Sequence, residues 1–545
     1  MASFPSGLLV LTAPLGALPR RAAAALAEAA GVVTGPLYVH LQPGLRLDGP
    51  APRPASPPPA AALLRALAAL YAAAAAHRGL DVRVLLGHGH RLARPPRVLL
   101  ADGGAGDAGP VRVALRELAA AAYGCPPGLP ALLLSGSDGP EALPDGSGAE
   151  LPAYSDVAVG GTFDRLHGAH RLLLSACCLL ARRRLLVGVA DGELLRPVCC
   201  ATLAVPSLSD VADKVLRELI EPYEVRAAKL REFLVDVQPS VLYDIVPLGD
   251  PYGPAITDPE LRCIVVSSET RRGGEAVNKK RIENGLTALE LFEIELMEDP
   301  HHGLNEEEKI SSSSLRQRLL GTLLRPPRDS PTLPPRPYII GLTGGSGSGK
   351  TSIAQRLGQM GAFLIDADAL GHAAYLPGSP AHGHVVAAFG AEILNKDGTI
   401  NRKVLGAKVF GDQERLKSLT DIVWPEIARM VRERIAEAGA EGKAVVVLDA
   451  AVLLEADWQE MVHEVWAAVI PEEEAVKRIV RRDGLSEEAA RRRLRSQMSD
   501  SQRVRQAQVV LCTLWEPEVT RRQVEKAWEL LQQRLSRAPA GPPTT

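Results

Sequence analysis

One octapeptide restricts the fold more than any other feature of the chain. Gly344-Gly345-Ser346-Gly347-Ser348-Gly349-Lys350-Thr351 obeys G-x-x-x-x-G-K-S/T, follows a β-like run at 338–342 and leads into a helical stretch from Lys350. Its glycines let backbone N–H groups curl around phosphate oxygens, Lys350 brings a point charge to the outer phosphates, and Ser352 extends the rim. The Thr351 hydroxyl is a candidate Mg²⁺ ligand, with ATP as the substrate that brings the ion. A merely flexible glycine turn is the plain alternative, but a strand before it and Lys-Thr at the start of a helix after it favour the phosphate loop.

Around this loop the chain alternates short apolar runs with helical stretches. Runs at 338–342, 363–366, 444–449 and 465–470 predict a doubly wound parallel sheet over 338–532, with a tail at 533–545 expected to be flexible. A second module is expected at 153–324, with strands at 156–159, 185–189, 240–247 and 263–266 and helices from about His167 and over 214–233. Linkers at 136–152 and 325–337, the latter with six prolines, separate the modules. Residues 1–135 show buried-strand runs at 8–11, 37–41 and 82–86, a proline-dense break at 49–60 and an alanine-rich helix at 60–76, which together predict a further α/β domain. No catalytic constellation falls there, its function is left unassigned, and it is a candidate surface for protein partners.

A formal net charge of -2 supplies no general field for nucleic acid, so anion binding must come from local sites. The 60–76 stretch is broken by Arg65 and is too short to span a bilayer, so no transmembrane segment is expected. Seven cysteines show no C-x-x-C spacing, which argues against zinc and for a reducing compartment. Arg20 and Arg21, with Glu28 the one acid among the first thirty residues, leave mitochondrion and cytoplasm both open.

Downstream of the loop, Asp366 and Asp368 end a strand at the carboxyl edge, where a hydroxyl acceptor would need a base. Residues 478–497 form an arginine-rich helix pair, which reads as a solvated face or as a lid over a phosphoryl group. The ordered segments 341–352 (GLTGGSGSGKTS), 365–372 (IDADALGH), 389–402 (FGAEILNKDGTINR), 453–456 (LLEA), 482–486 (RDGLS) and 495–498 (RSQM) resemble dephospho-CoA kinases over nearly all of 338–532. The resemblance implies that Asp368 takes the proton of a ribose 3'-hydroxyl, that Lys350 and Mg²⁺ hold ATP, and that Arg482, Arg493 and Gln497 belong to the lid. Where many relatives carry His-Pro this chain has Trp424-Pro425.

In the middle module, Gly160-Gly161-Thr162-Phe163-Asp164-Arg165-Leu166-His167-Gly168-Ala169-His170 follows a strand and opens a helix. His167 and His170, three residues apart, are expected to share a face and donate to one phosphate. A histidine pair alone is more often surface decoration or half of a metal site; the G-T-F-D prefix argues otherwise. Lys309-Ile310-Ser311-Ser312-Ser313-Ser314-Leu315-Arg316 supplies hydroxyls and a helix start for outer phosphates, with Arg316 adding charge. Together these resemble class I nucleotidyltransferases, a Rossmann-like fold, with Ala169 standing where the signature has Gly. The stretch 265–278, with Ser267-Ser268-Glu269-Thr270 and Gly273-Gly274, resembles pantetheine-phosphate adenylyltransferases.

The two modules in this order are similar to the fused coenzyme A synthases. That resemblance implies adenylyl transfer to 4'-phosphopantetheine, with Gly161, Thr162 and His170 on ATP, followed by phosphorylation of dephospho-CoA. An apolar stretch at 197–210 reads as an insert beside the first site. A module retained as a scaffold, and adenylylation of a nicotinamide or cytidine precursor, are the competing readings.

Overall fold

The computed structural model describes residues 3–43, 45, 59–77, 79–87, 89–102, 108–135, 150–195, 215–328, 331–409 and 412–537. The expected insert at 197–210, nearly all of the linker at 136–152 and of the break at 49–60, and the last eight residues lie outside these. The chain divides into two compact units, 1–315 and 316–545.

The first unit holds two parallel sheets. β1 (Gly7–Leu11), β2 (Pro36–Leu41), β3 (Asp81–Leu85), β4 (Val98–Ala101) and β5 (Ala131–Leu133) lie in the order β3-β2-β1-β4-β5. β1, β2 and β4 are buried along their whole length, the signature of a sheet covered on both faces. Side chains alternate, so Leu9 and Leu11 face a core built with helices Leu18–Ala30 and Ala60–Ala75, while Leu8 and Val10 face one built with helix Ala108–Tyr123. The expected α/β domain is therefore present, and the alanine-rich stretch is a helix packed through Leu67, Leu70 and Tyr71.

The second sheet of this unit comprises β6 (Tyr154–Gly161), β7 (Ala181–Ala190), β8 (Leu242–Leu248), β9 (Cys263–Ser267) and β10 (Glu290–Ile294), in the order β10-β9-β6-β7-β8. Both sheets thus share one winding: the first strand is central, the second and third lie to one side, and the fourth and fifth to the other. That is the dinucleotide-binding order 3-2-1-4-5-6 without its sixth strand, with the switch point beside the central strand. The helix expected over 214–233 runs instead over Tyr223–Val237, because Pro222 suits the position before a helix but not its interior; Arg217–Leu219 is a single 3-10 turn. Five described cysteines are all buried free thiols.

The division between units falls inside helix Ser312–Leu319. The second unit has β11 (Tyr338–Gly344), β12 (Phe363–Asp366), β13 (Val445–Asp449), β14 (Glu464–Val469) and β15 (Val509–Cys512), ordered β12-β13-β11-β14-β15, all parallel. Ile340 and Leu342 pack against Ile353 and Leu357 of helix Lys350–Gln359 and Val524 and Leu531 of helix Pro517–Arg537. That terminal helix carries the fold past 532, where a flexible tail was expected. The stretch expected as a linker at 325–337 is partly held to this unit, since the Arg325 guanidinium donates to the carbonyls of Val504 and Ala507 and the Arg328 N–H to that of His463. Among the described residues, no helix is long and apolar enough to cross a membrane.

Candidate functional site

The phosphate loop leaves β11 and enters helix Lys350–Gln359, as the sequence requires. Gly347 and Gly349 adopt φ of +81° and +78°, the left-handed region that glycine reaches without strain. A Cβ on Gly349 would lie 2.9 Å from Thr513, whose hydroxyl donates to the Ser348 carbonyl at 2.8 Å. Arg478 donates to the Thr513 hydroxyl and carbonyl at 2.8 and 2.7 Å, clamping the back of the loop. Gln497 closes on its front: the Ser346 N–H donates to its carbonyl oxygen at 2.9 Å, and its amide donates to the Ser346 hydroxyl at 3.2 Å.

Lys350 ion-pairs with Asp449 and lies 4.0 Å from Asp368. Asp449 ends β13 in register with Asp366 of β12, so parallel pairing aligns two carboxylates at the carboxyl edge. Burial pushes the Asp449 carboxyl above its ordinary value against the pull of Lys350, and Asp366 and Asp368 push in the same direction as burial. Asp449 was missed from sequence, although the pattern Val445-Val446-Val447-Leu448-Asp449, a buried strand ending in an acid, is the signal that marks the metal-side carboxylate of such sites. Thr351 is exposed at the helix start, and its hydroxyl, like the Asp449 carboxylate, is a hard oxygen donor of the type that suits Mg²⁺. Gly344 ends β11, Gly345 opens the loop, and Ser352 lies in the first turn of the helix that follows.

Two expectations change here. Asp366 is the cap of helix Ala367–Ala373, accepting from the Ala369 N–H at 2.9 Å, which leaves Asp368 as the carboxylate facing Lys350, 4.0 Å away. Arg482 and Arg493 both pair with Asp483, tying helices Glu472–Asp483 and Glu487–Arg495 together, whereas Gln497 alone of the expected lid group contacts the loop. Trp424 and Pro425 lie within helix Gln413–Ala440, which continues through the proline.

Residues 338–513 match the family model described as dephospho-CoA kinase, and residues 5–134 match one described as the COASY N-terminal domain. The dephospho-CoA kinase of Geobacter sulfurreducens is 42% identical over 190 residues, 35% of this chain and 96% of that protein. The chain belongs to the dephospho-CoA kinase family. The kinase of Carboxydothermus hydrogenoformans is 40% identical over 186 residues, 34% of this chain and 90% of its own length. Among solved structures, TT1252 from Thermus thermophilus is 32% identical, covering 36% of this chain and 98% of its own, with a TM-score of 0.32.

The kinase-family domain is preceded by a second constellation at the carboxyl end of β6. Thr162 is buried, and the loop after it holds Phe163 and Arg165 at φ of +48°, a costly backbone for residues with a Cβ. Buried Asp164 pins that loop by accepting from the Glu221 N–H at 3.0 Å and from Arg165 at 2.9 Å. Arg226, fully buried, donates to the carbonyls of Thr162, Ala190 and Glu221 at 2.7, 2.8 and 2.7 Å, binding together the ends of β6 and β7. No sequence pattern marked Arg226, because its role is to satisfy carbonyls brought together from distant segments.

His167 caps helix Gly168–Leu180, its Nδ1 accepting from the His170 N–H at 3.4 Å, and the two imidazoles stack with centroids 3.7 Å apart. An accepting Nδ1 places the proton of the neutral ring on Nε2, which faces the Ser312 hydroxyl at 3.5 Å. Ser312 in turn donates to the Asp164 carbonyl at 2.8 Å. The two motifs therefore meet as expected, but His167 is a brace with both nitrogens engaged, not a second donor beside His170. Burial drives its pKa well below the ordinary histidine value, and the charges of His170 and Arg171 act in the same direction. Ser311 caps its own helix, receiving the Ser314 N–H at 3.1 Å; Ser313 follows on that helix, and Arg316 is fully buried within it. Gly161 ends β6 against the Phe163 ring.

Proposed function

We propose that the chain carries out two consecutive transfers from ATP. At the His170 site 4'-phosphopantetheine attacks the α-phosphorus, giving dephospho-CoA and pyrophosphate; at the phosphate loop the ribose 3'-hydroxyl of dephospho-CoA is phosphorylated to give CoA. Family membership supports the second reaction, and the neighbouring match to the COASY N-terminal domain supports a fused coenzyme A synthase.

The observation that carries the first reaction is the joining of Thr162, the imidazole stack and Ser312 at the carboxyl end of the central strand of a five-stranded Rossmann-like sheet. Adenylyl transfer needs no protein nucleophile, only donors fixed where charge develops. His170 and Thr162 face the reacting phosphates, and Ser312 and Ser313 at a helix start take the outer ones. His167 holds His170 in place by accepting its backbone N–H.

In the second reaction Lys350 leaves Asp449 for the outer phosphates of ATP, while Asp368, 4.0 Å from Lys350, accepts the hydroxyl proton. Thr351 and Asp449 would hold Mg²⁺, which neutralises charge on the phosphates when bound. Gln497 covers the loop.

The test is incubation of the full chain with 4'-phosphopantetheine and Mg-ATP, with pyrophosphate measured and products resolved by mass. Lys350→Ala should stop at dephospho-CoA with pyrophosphate release intact. His170→Ala should release no pyrophosphate yet convert added dephospho-CoA to CoA. Loss of both activities in either folded variant would refute two independent sites.

A further inference from the structure

The helix that carries His170 is built into the N-terminal domain. Ala169, Leu172 and Leu179 of helix Gly168–Leu180 pack in the same core as β1–β3 and helix Ala60–Ala75, and a Cβ on Gly168 would lie 3.6 Å from the Tyr71 carbonyl. The alanine at 169, a departure from the glycine of the nucleotidyltransferase signature, thus sits against this domain.

Two polar contacts fix the helix more closely than apolar packing can. The Arg171 guanidinium, adjacent in sequence to His170, ion-pairs with Asp81 at 2.8 Å, with side-chain exposures of 15% and 25%. One turn on, the hydroxyls of Tyr71 and Ser175, both residues fully buried, lie 3.2 Å apart. Asp81 is itself held by Arg83, at 2.7 Å, and Arg83 continues to Asp236 at 2.6 Å on helix Tyr223–Val237. Burial works against ionisation of Asp81, yet Arg171 and then Arg83 keep its carboxyl below the ordinary value, so the pair is charged at neutral pH. Arg171 also adds to the charge that keeps His167 neutral. A buried arginine beside the imidazole pair, without its carboxylate, would rearrange toward water and take the start of the helix with it.

The geometry points to Asp81, supported by Tyr71, as a positioning residue of the N-terminal domain that sets the helix bearing His170 for adenylyl transfer. Apolar contact alone would let the helix slide by tenths of an ångström, whereas a two-point polar clamp fixes both rotation and translation. Since transfer depends on alignment, a displacement near 1 Å is worth up to about 100-fold in rate. The inference rests on the adenylyltransferase reading of the His170 site.

The experiment measures pyrophosphate release and phosphorylation of added dephospho-CoA in the full chain, wild type against Asp81→Asn and Tyr71→Phe. Expected for Asp81→Asn is a kcat for pyrophosphate release lower by about 10- to 100-fold, with KM for 4'-phosphopantetheine within about twofold and kinase activity unchanged. Replacing Arg171 as well, in Asp81→Asn/Arg171→Gln, should restore part of kcat, because no unpaired buried charge then remains. A wild-type kcat in both folded single variants would overturn the inference, as would an equal loss in the kinase step. Should Asp81→Asn not fold, Tyr71→Phe, which removes one oxygen, carries the test with the same two outcomes. Absence of pyrophosphate release from the wild type would overturn the adenylyl reading itself, while release that ignores these variants overturns only the clamp.

Discussion

Replacing Lys350 with alanine should destabilise the kinase unit in a pH-dependent manner. Its ammonium pairs with Asp449, and each side chain is only 11% exposed. Stripping one partner from a buried pair costs about 3–5 kcal/mol when the remaining charge has no other compensation. Slight solvent access lowers this, and Asp366 and Asp368, both already raising the Asp449 pKa, restore part of it. We expect a loss of about 2–4 kcal/mol at pH 8, which for a unit of this size lowers Tm by roughly 5–15 °C. The sign of the pH effect follows from the direction of the shift. Asp449 already titrates above its ordinary value in the folded protein, and without Lys350 it titrates higher still, so the folded state binds the proton more tightly than the unfolded chain. Stability lost at pH 8 is therefore partly regained as pH falls through the raised pKa, and the deficit at pH 5 should be smaller by at least about 1 kcal/mol. The double variant Lys350→Ala/Asp449→Asn should recover most of the loss at pH 8. All five tryptophans, at 424, 458, 466, 515 and 528, lie in this unit, so intrinsic fluorescence of the full chain reports on it alone. A deficit equal at both pH values, or no recovery in the double variant, would refute the account.

Three further outcomes are expected. Gly349→Ala combines a left-handed backbone with a Cβ 2.9 Å from a Thr513 side chain held by two hydrogen bonds, so KM for ATP in phosphorylation of dephospho-CoA should rise by about tenfold or more, with pyrophosphate release untouched. Arg226→Met removes a donor from three carbonyls; pyrophosphate release should disappear and protection of helix Tyr223–Val237 in hydrogen exchange should fall by about 2–4 kcal/mol, while a near-normal value would contradict its bracing role. His167 has a depressed pKa, so below about pH 6.5 the unfolded chain takes up a proton that the folded one does not, and stability falls by up to about 1.4 kcal/mol per pH unit until the folded pKa is reached. Hydrogen exchange in helix Gly168–Leu180 should show this slope, and His167→Gln should lack it.

The parts of this protein legible in its sequence are those whose chemistry is local. A phosphate loop needs glycines at fixed offsets and a Lys-Thr at a helix start, and residues 344–351 state this without reference to the rest of the chain. The same holds for 160–170 and 309–316, and for strands such as β12, found where the apolar run predicts it. Pro222 displaced one helix start from the periodicity reading, a local signal that outweighed it.

Contacts between distant segments were decided by folding alone. Lys350 meets Asp449 because parallel pairing of β11 with β13 aligns their carboxyl ends, and Ser312 reaches the His167 ring 145 residues back because a parallel Rossmann-like sheet gathers its loops at one edge. The role of residues 1–135 was hidden for the same reason: Asp81 and Tyr71 have ordinary sequence surroundings, and they gain meaning only when a shared core brings them against Arg171 and Ser175. Sequence spacing records which backbone shapes a segment can take. Which charge meets which across a hundred residues depends on how the apolar faces stack, and that information resides in the packed structure.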